Sequence, residues 1–303
     1  MKALEVLNPG PLCSVQDPGR KGASLAGLSQ SGAADEVSYY LANHLLQNRP
    51  AAPMLEIAYG NASFCAKKRL SMVVTGADTT VRVEGKPVPM WRTFWLEKGQ
   101  KLTLDMARSG QWIYLGVKGE LVVPPLFESA ATSLRENMGG KVCAKGDELE
   151  IVPHDLPHRA TLKPALVPDF TTPLRLRVVL GYQAKYFTST YTKTFFESTY
   201  TITPQSNRMG YRLEGAPIGY EGRGIVSEAI AFGAVQVPPH GQPIVLLKER
   251  QSIGGYPKIG AVLGLDCFAL AQRRPGESVQ FEPIAIEEAH ALMREFYHFA
   301  RRV

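Results

Sequence analysis

The chain has 303 residues, 45% hydrophobic and 20% charged, a globular balance that excludes wholesale disorder. Its net charge of +6 comes from 34 basic and 28 acidic residues that are scattered; the longest basic clusters, Lys67-Lys68-Arg69 and Arg273-Arg274, are short, and no aromatic-interleaved basic motif marks a nucleic-acid binder. The four cysteines are far apart with no C-x-x-C pair, Met1 to Gly10 does not read as a signal peptide, and no stretch approaches the ~18 apolar residues of a membrane span; the expectation is a soluble cytoplasmic protein with reduced thiols.

In chain order, the first predicted element is a helix from Asp35 to Gln47. Val37, Tyr40, Leu41, His44 and Leu45 fall at helical spacing, Asp35 caps the start, and Arg49-Pro50 stops the run. Strands follow. Met72-Val73-Val74 runs into the turn Thr75 to Asp78, and Val81 to Glu84 alternates and meets Gly85, a hairpin signal. Leu102, Leu104 and Met106 alternate again, whereas Trp112 to Val117 is a continuous run, as in a strand covered on both faces. Short strands between Gly and Pro turns predict a barrel or sandwich.

Prolines 153, 157, 164, 168 and 173 interrupt any ladder and mark a linker. The expected domains are therefore residues 1–160 and 161–303. Leu174 to Leu180 reads as the first strand of the second half. Ala289, Leu292, Met293, Phe296 and Ala300 form the apolar stripe of a last helix.

There is no phosphate-binding G-x-x-x-x-G-K-[ST] loop, no H-E-x-x-H pair and no G-x-S-x-G elbow. The glycine-rich stretch Gly215 to Gly224 reads as a mobile loop. His154 and His158 are four apart, but the flanking prolines oppose a helix there, so no metal site is expected. What remains is polar residues set in turns. Ser14 to Arg20 puts Gln16, Asp17 and Arg20 within five positions. Such a turn either fixes an anion or amide substrate, or closes on itself with Asp17 bonded to local backbone and to Arg20. Ser206 to Leu213 holds Asn207 and two arginines, Arg208 and Arg212, which either grip a phosphate or carboxylate or form a turn with surface ion pairs. Two Pro/Gly turns near Gln236 and from Gln251 to Lys258, the second carrying Tyr256, are either ordinary barrel turns or a place where backbone approaches a ligand and Lys258 balances developing negative charge.

Taken together these segments resemble one family along nearly the whole chain: the allophanate hydrolase subunit 2 family, also described as biotin-dependent carboxyltransferase-like. Ser14 to Arg20 looks like its T/S-V-Q-D-x-G-R opening, Gly32 to Asp35 its G-A-x-D helix start, and Gln205 to Leu213, Gln236-Val237-Pro238 and Gly254 to Lys258 its most specific landmarks. The chain departs from the pattern at Lys118-Gly119, Val142-Cys143, Ser227 to Ile230 and Glu249 to Ser252. The resemblance implies a mainly β protein of two cyclophilin-like barrels. It also implies a place in the 5-oxoprolinase branch, in which a B-type subunit binds this chain directly and an A-type subunit completes ATP-dependent cleavage of 5-oxoproline to glutamate.

Phosphorylating the lactam oxygen would make a better electrophile, and such a site needs cations and fixed donors. The residues expected to act are Asp17, Arg20, Arg208 and Lys258, with Gln16, Asp35, Asn207, Gln236, Gln251 and Tyr256 orienting substrate. Asp17 or Asp35 would hold either magnesium or an arginine. ATP with Mg2+ is the expected co-substrate, at a site shared with the partner. Two alternatives stand beside this reading. One is a carboxyltransferase acting on urea or a similar amide; with no A-M-K-M attachment site in this chain, biotin would come on a separate carrier. The other is a regulatory protein that antagonises a kinase inhibitor.

Overall fold

The computed structural model describes residues 2–154, 159–222 and 225–301; His158, Pro157 and the Arg223-Gly224 end of the glycine-rich stretch lie outside them. The protein is mainly β. It divides into two compact units: residues 1–20, 31–171 and 299–303 form the first, and residues 21–30 and 172–298 the second.

The first unit is built from two antiparallel sheets. One has seven strands in the order 119–121, 148–153, 2–8, 60–66, 101–106, 81–83, 86–88; the other has five, in the order 12–16, 54–58, 109–117, 70–78, 94–96. Both line one core, with Val6, Phe64 and Leu104 from the first sheet and Val15, Ile57 and Ile113 from the second all inaccessible to solvent. The hairpin expected at Gly85 joins strands Val81–Val83 and Lys86–Val88. Both turn residues, Glu84 and Gly85, have positive φ, which matches the right-handed twist of the strands.

The run Trp112 to Val117 is continuous because its strand is central and covered on both faces. It pairs with 54–58 and 70–78, and the helix Glu36–Leu46 packs on it and on 70–78. Asp35 caps that helix as expected, accepting from the amides of Val37 (2.9 Å) and Ser38 (3.1 Å) and from the Ser38 hydroxyl (2.6 Å). Gln47, in the left-handed conformation, ends it ahead of Arg49-Pro50. The alternation of Leu102, Leu104 and Met106 holds for the two leucines and fails at Met106, which is exposed at the strand end.

The proline-rich segment stays with the first unit beyond residue 160. The Leu162 amide bonds the Trp91 carbonyl (2.9 Å), the Thr93 amide bonds the Ala160 carbonyl (2.9 Å), and Phe170 lies against Gly110. The change of unit along the chain therefore comes between Thr171 and Thr172, not at 160/161. The reason is that prolines without amide donors still leave their neighbours free to bond the sheet.

The second unit is a closed barrel of seven strands, in the order 174–180, 258–262, 234–236, 244–246, 210–214, 199–202, 278–283. Parallel pairing of Leu174–Val178 with Val279–Pro283 closes it. Leu176, Val178, Val235 and Val245 fill it, and Phe195, from a helix at Ser189–Glu197 that periodicity did not reveal, stacks on Phe281 at 4.2 Å between centroids. A two-stranded ribbon, Glu228–Ala229 with Ile253–Gly254, stands beside the barrel strands as a separate sheet. The last helix runs Ile286–Arg301. Among the described residues, no helix is long and apolar enough to cross a membrane.

Candidate functional site

The expected site residues separate into groups, and the structure gives each a different job. In the first unit, Gln16, Asp17 and Arg20 are all buried. Asp17 binds a loop to the strand end: its carboxylate accepts from the amides of Gly19 (2.7 Å) and Ala130 (2.6 Å) and from the Ser129 hydroxyl (2.7 Å). The Arg20 guanidinium, 1% exposed, donates to the Ala131 carbonyl of the same loop. The Gln16 amide nitrogen donates to Ser14 Oγ (3.0 Å) and to the Thr132 carbonyl (3.1 Å). Gly32 makes the chain return possible. Its φ is +96°, and a Cβ there would lie 2.7 Å from the Gly19 nitrogen and 2.9 Å from the Asp17 main-chain carbonyl oxygen. These residues thus hold residues 129–132 against the 12–16 strand.

Asp17 and Asp35 do not fit a magnesium ion. Both carboxylates are surrounded by amide and hydroxyl donors, which occupy the oxygen lone pairs that a cation would need. Asp35 is engaged as a helix cap, with both carboxylate oxygens bonded within its own helix.

The Asn207–Arg208 turn is also structural. Asn207 is exposed, and its side-chain oxygen accepts from the Met209 amide (2.8 Å). Arg208 turns inward, and its Nε donates to Glu249 Oε1 at 2.6 Å, with both side chains almost fully buried. A guanidinium engaged by a buried carboxylate is poorly suited to grip a substrate phosphate. Arg212, exposed on strand 210–214, does not share that position.

Gln236, Gln251 and Lys258 do come together, in the second unit. Gln236 and Lys258 are partners in register across adjacent barrel strands. Gly254 lies between the glutamines: a Cβ at this position would be 3.0 Å from Gln236 Nε2, 3.6 Å from Gln251 Nε2 and 2.7 Å from Ile230 Cδ1. The residue must be glycine for the two amide nitrogens to face this point. Gln236 is 1% exposed, and its Nε2 has no hydrogen-bond partner. A buried donor left unpaired costs about 1–3 kcal/mol, a cost that a bound acceptor would relieve. Lys258 Nζ pairs with Glu228 Oε1 at 2.6 Å. Tyr256, half-exposed, is on the loop that leads into the Lys258 strand.

Three members of this cluster were not anticipated as site residues: Tyr182, Gln183 and Glu228. Glu228 receives Lys258 and Gln183 Nε2 (2.7 Å) on one oxygen and the Tyr182 hydroxyl on the other. The Lys258 and Tyr182 hydrogen bonds hold its carboxyl below the usual glutamate range, and Glu228 in turn pushes the Tyr182 phenol up. The signal in the sequence was slight. Glu228 stood out only as part of a departure from the family pattern, and Tyr182-Gln183 follow a predicted strand end, where loop residues at a barrel rim often serve a site.

A cleft of about 590 Å³ lies elsewhere in the first unit, lined among others by Met90, Trp91, Arg108 and Phe170. It contains none of the expected residues. Arg108 there is engaged by Asp78 through two bonds of 2.6 and 2.8 Å.

Comparison with known proteins places this geometry in a family. The carboxyltransferase domain, subdomains A and B, matches residues 26–283. The chain belongs to this family. The C subunit of 5-oxoprolinase from Haemophilus influenzae is 33% identical over 297 residues, covering 96% of this chain and 94% of that one. The protein of the same name in Escherichia coli is 34% identical over 293 residues, covering 94% and 93%. The urea amidolyase of Saccharomyces cerevisiae is 26% identical over 319 residues, which cover 96% of this chain and 17% of that much longer one. Among solved structures, TTHA0988 superposes with a TM-score of 0.85 at 32% identity over 93% of this chain; the chain spans about half the length of that polypeptide, 55%. The urea amidolyase of Kluyveromyces lactis superposes with a TM-score of 0.91 at 24% identity, over 99% of this chain and 20% of that one, a likeness of fold.

Proposed function

We propose that this chain is one component of an ATP-dependent 5-oxoprolinase, that it binds the lactam at the Gln236–Gln251–Lys258 cluster of the barrel, and that it works only with A-type and B-type partner proteins. The observation that carries the reading is the likeness to two proteins named as the C subunit of 5-oxoprolinase over nearly the full length of both, together with an unpaired buried amide donor in the segment that carries the family's most specific motif.

The chemistry follows from the amide. Water attacks a lactam slowly because nitrogen donates into the carbonyl. In the proposed sequence, the γ-phosphoryl group passes from ATP to the lactam oxygen and ADP leaves; water then attacks the activated carbon, the ring C–N bond breaks, and glutamate and phosphate are released. Gln236 Nε2 and Gln251 Nε2 would donate to the carbonyl oxygen and hold it in line. Lys258 would offset the negative charge of the phosphoryl group as it passes to that oxygen, tempered by its pairing with Glu228. ATP is a substrate of the assembled complex in this reading.

The test is glutamate release from 5-oxoproline and ATP by the three proteins mixed, with each omitted in turn. Release that stops when this chain is left out supports the reading; full release without it overturns it. A second reading, transfer of a carboxyl group to urea or a similar amide from a separate biotin carrier, is favoured by the family's description and by the urea amidolyase match over 96% of this chain. Carboxylation of urea on adding a biotinylated carrier, with no glutamate released by the three-protein mixture, would select it.

A further inference from the structure

Gln183 is 3% exposed, yet its side chain is fully employed. Both Nε2 protons are spent, one on the Tyr182 hydroxyl (2.8 Å) and one on Glu228 Oε1 (2.7 Å). Its Oε1 accepts the main-chain amide of Lys258 (2.7 Å), 75 residues away in sequence. The residue therefore has no donor to offer a ligand. It nonetheless touches both anchors of the Lys258 side chain: the backbone from which that side chain springs and the carboxylate on which its ammonium ends. Glu228 is itself tied down by the ribbon, in which it pairs with Gly254, the residue facing Gln236 and Gln251. The Gly181 amide bonds the Ile259 carbonyl (3.0 Å), so the turn that bears Gln183 is registered on the Lys258 strand.

We propose that Gln183 is a positioning residue for Lys258: by orienting Glu228 and the Lys258 main chain at once, it fixes the ammonium beside the unpaired Gln236 amide. The proposal rests on the reading of Lys258 and Gln236 as substrate-facing. Its logic is that of outer partners that orient a site's inner groups, whose loss costs about 10–100-fold in function at metal sites, where such effects are best measured. Tyr182, 67% exposed, is the outermost member of the chain of bonds and connects the buried amide to the surface.

Two variants separate positioning from simple support of the fold. Gln183→Met keeps length and volume but loses every hydrogen bond. Gln183→Glu keeps the acceptor for the Lys258 amide, loses the donor to Glu228, and sets a carboxylate against it. In the three-protein complex, both are expected to lower kcat by about 10–100-fold, with KM for 5-oxoproline within about twofold. A role limited to supporting the backbone would instead be rescued by Gln183→Glu, and that rescue would overturn the proposal.

A readout independent of turnover is the acetylation rate of Lys258 by acetic anhydride in the isolated chain, measured by peptide mass spectrometry against the exposed Lys98. An ammonium held by an oriented carboxylate is acylated slowly. Release should raise the Lys258-to-Lys98 ratio several-fold in Gln183→Met and in the control Glu228→Gln. An unchanged ratio in Gln183→Met with native circular dichroism, alongside a rise in Glu228→Gln, would overturn the proposal. If leaving the chain out does not affect glutamate release, the proposed function fails while the labelling result stands; if omission stops release and both Gln183 variants turn over normally, only the positioning role fails.

Discussion

Gln236 and Arg208 are both buried polar residues in segments that carry the family's motifs, and they differ in satisfaction. Arg208 is locked to Glu249 at 2.6 Å, so truncating it strands a buried carboxylate. Arg208→Ala should destabilise the protein by about 3–5 kcal/mol, seen as an early denaturant midpoint, and any loss of complex activity should follow loss of fold. Normal stability in this variant would show that the pair is dispensable. Gln236 Nε2 has no partner to strand. Gln236→Leu should leave stability unchanged or raise it by up to about 1–3 kcal/mol as the desolvated donor disappears, while turnover of the complex falls about 100-fold. Coincident loss of stability and activity would mean that the amide is structural. Residue type alone could not separate the two, because an arginine beside serine and asparagine looks the same whether it faces a ligand or an inner carboxylate.

Among the elements, the helix Glu36–Leu46 and its cap were legible because the determinants are local: Asp35 bonds residues two and three positions on. Asp35→Ala should cost about 0.5–2 kcal/mol in thermal or denaturant unfolding and leave kcat of the complex within about twofold; a large drop in kcat at intact stability would restore Asp35 to the site. The Val81–Val88 hairpin was legible for the same reason, since its two-residue turn is written in Glu84-Gly85. The ribbon of Glu228–Ala229 with Ile253–Gly254 was not. Two residues per strand show no alternation, and their pairing spans a chain separation that no local pattern records.

For the whole molecule, the division into halves was readable from the prolines but its location was not. Ala160, Leu162 and Phe170 remain with the first unit through bonds to Trp91 and Thr93 and contact with Gly110. The barrel closes through the Leu174–Val178 strand against Val279–Pro283. Leu176→Ala, at a wholly buried position of the closing strand, should cost about 2–5 kcal/mol. Hydrogen exchange should report the lost protection in residues 172–298 more than in residues 31–171; uniform loss across both would mean that the units unfold together.

The sequence by itself determined what short-range physics writes: a mainly β chain, a capped first helix, a tight hairpin, an amphipathic last helix, and glycines where backbone approaches closely. It also carried the family, through motifs in both halves. Which of those motif residues gather at a site was decided only by the tertiary structure. Gln236, Gln251 and Lys258 meet because barrel register and a side ribbon bring distant segments together, while Asp17, Asp35 and Arg208 are drawn into caps, loop ties and a buried ion pair. Gln183 and Glu228 are bonded across 45 residues, and the physical reason for their silence in the sequence is that a single glutamine or glutamate has no pattern until its hydrogen-bond partners are in place.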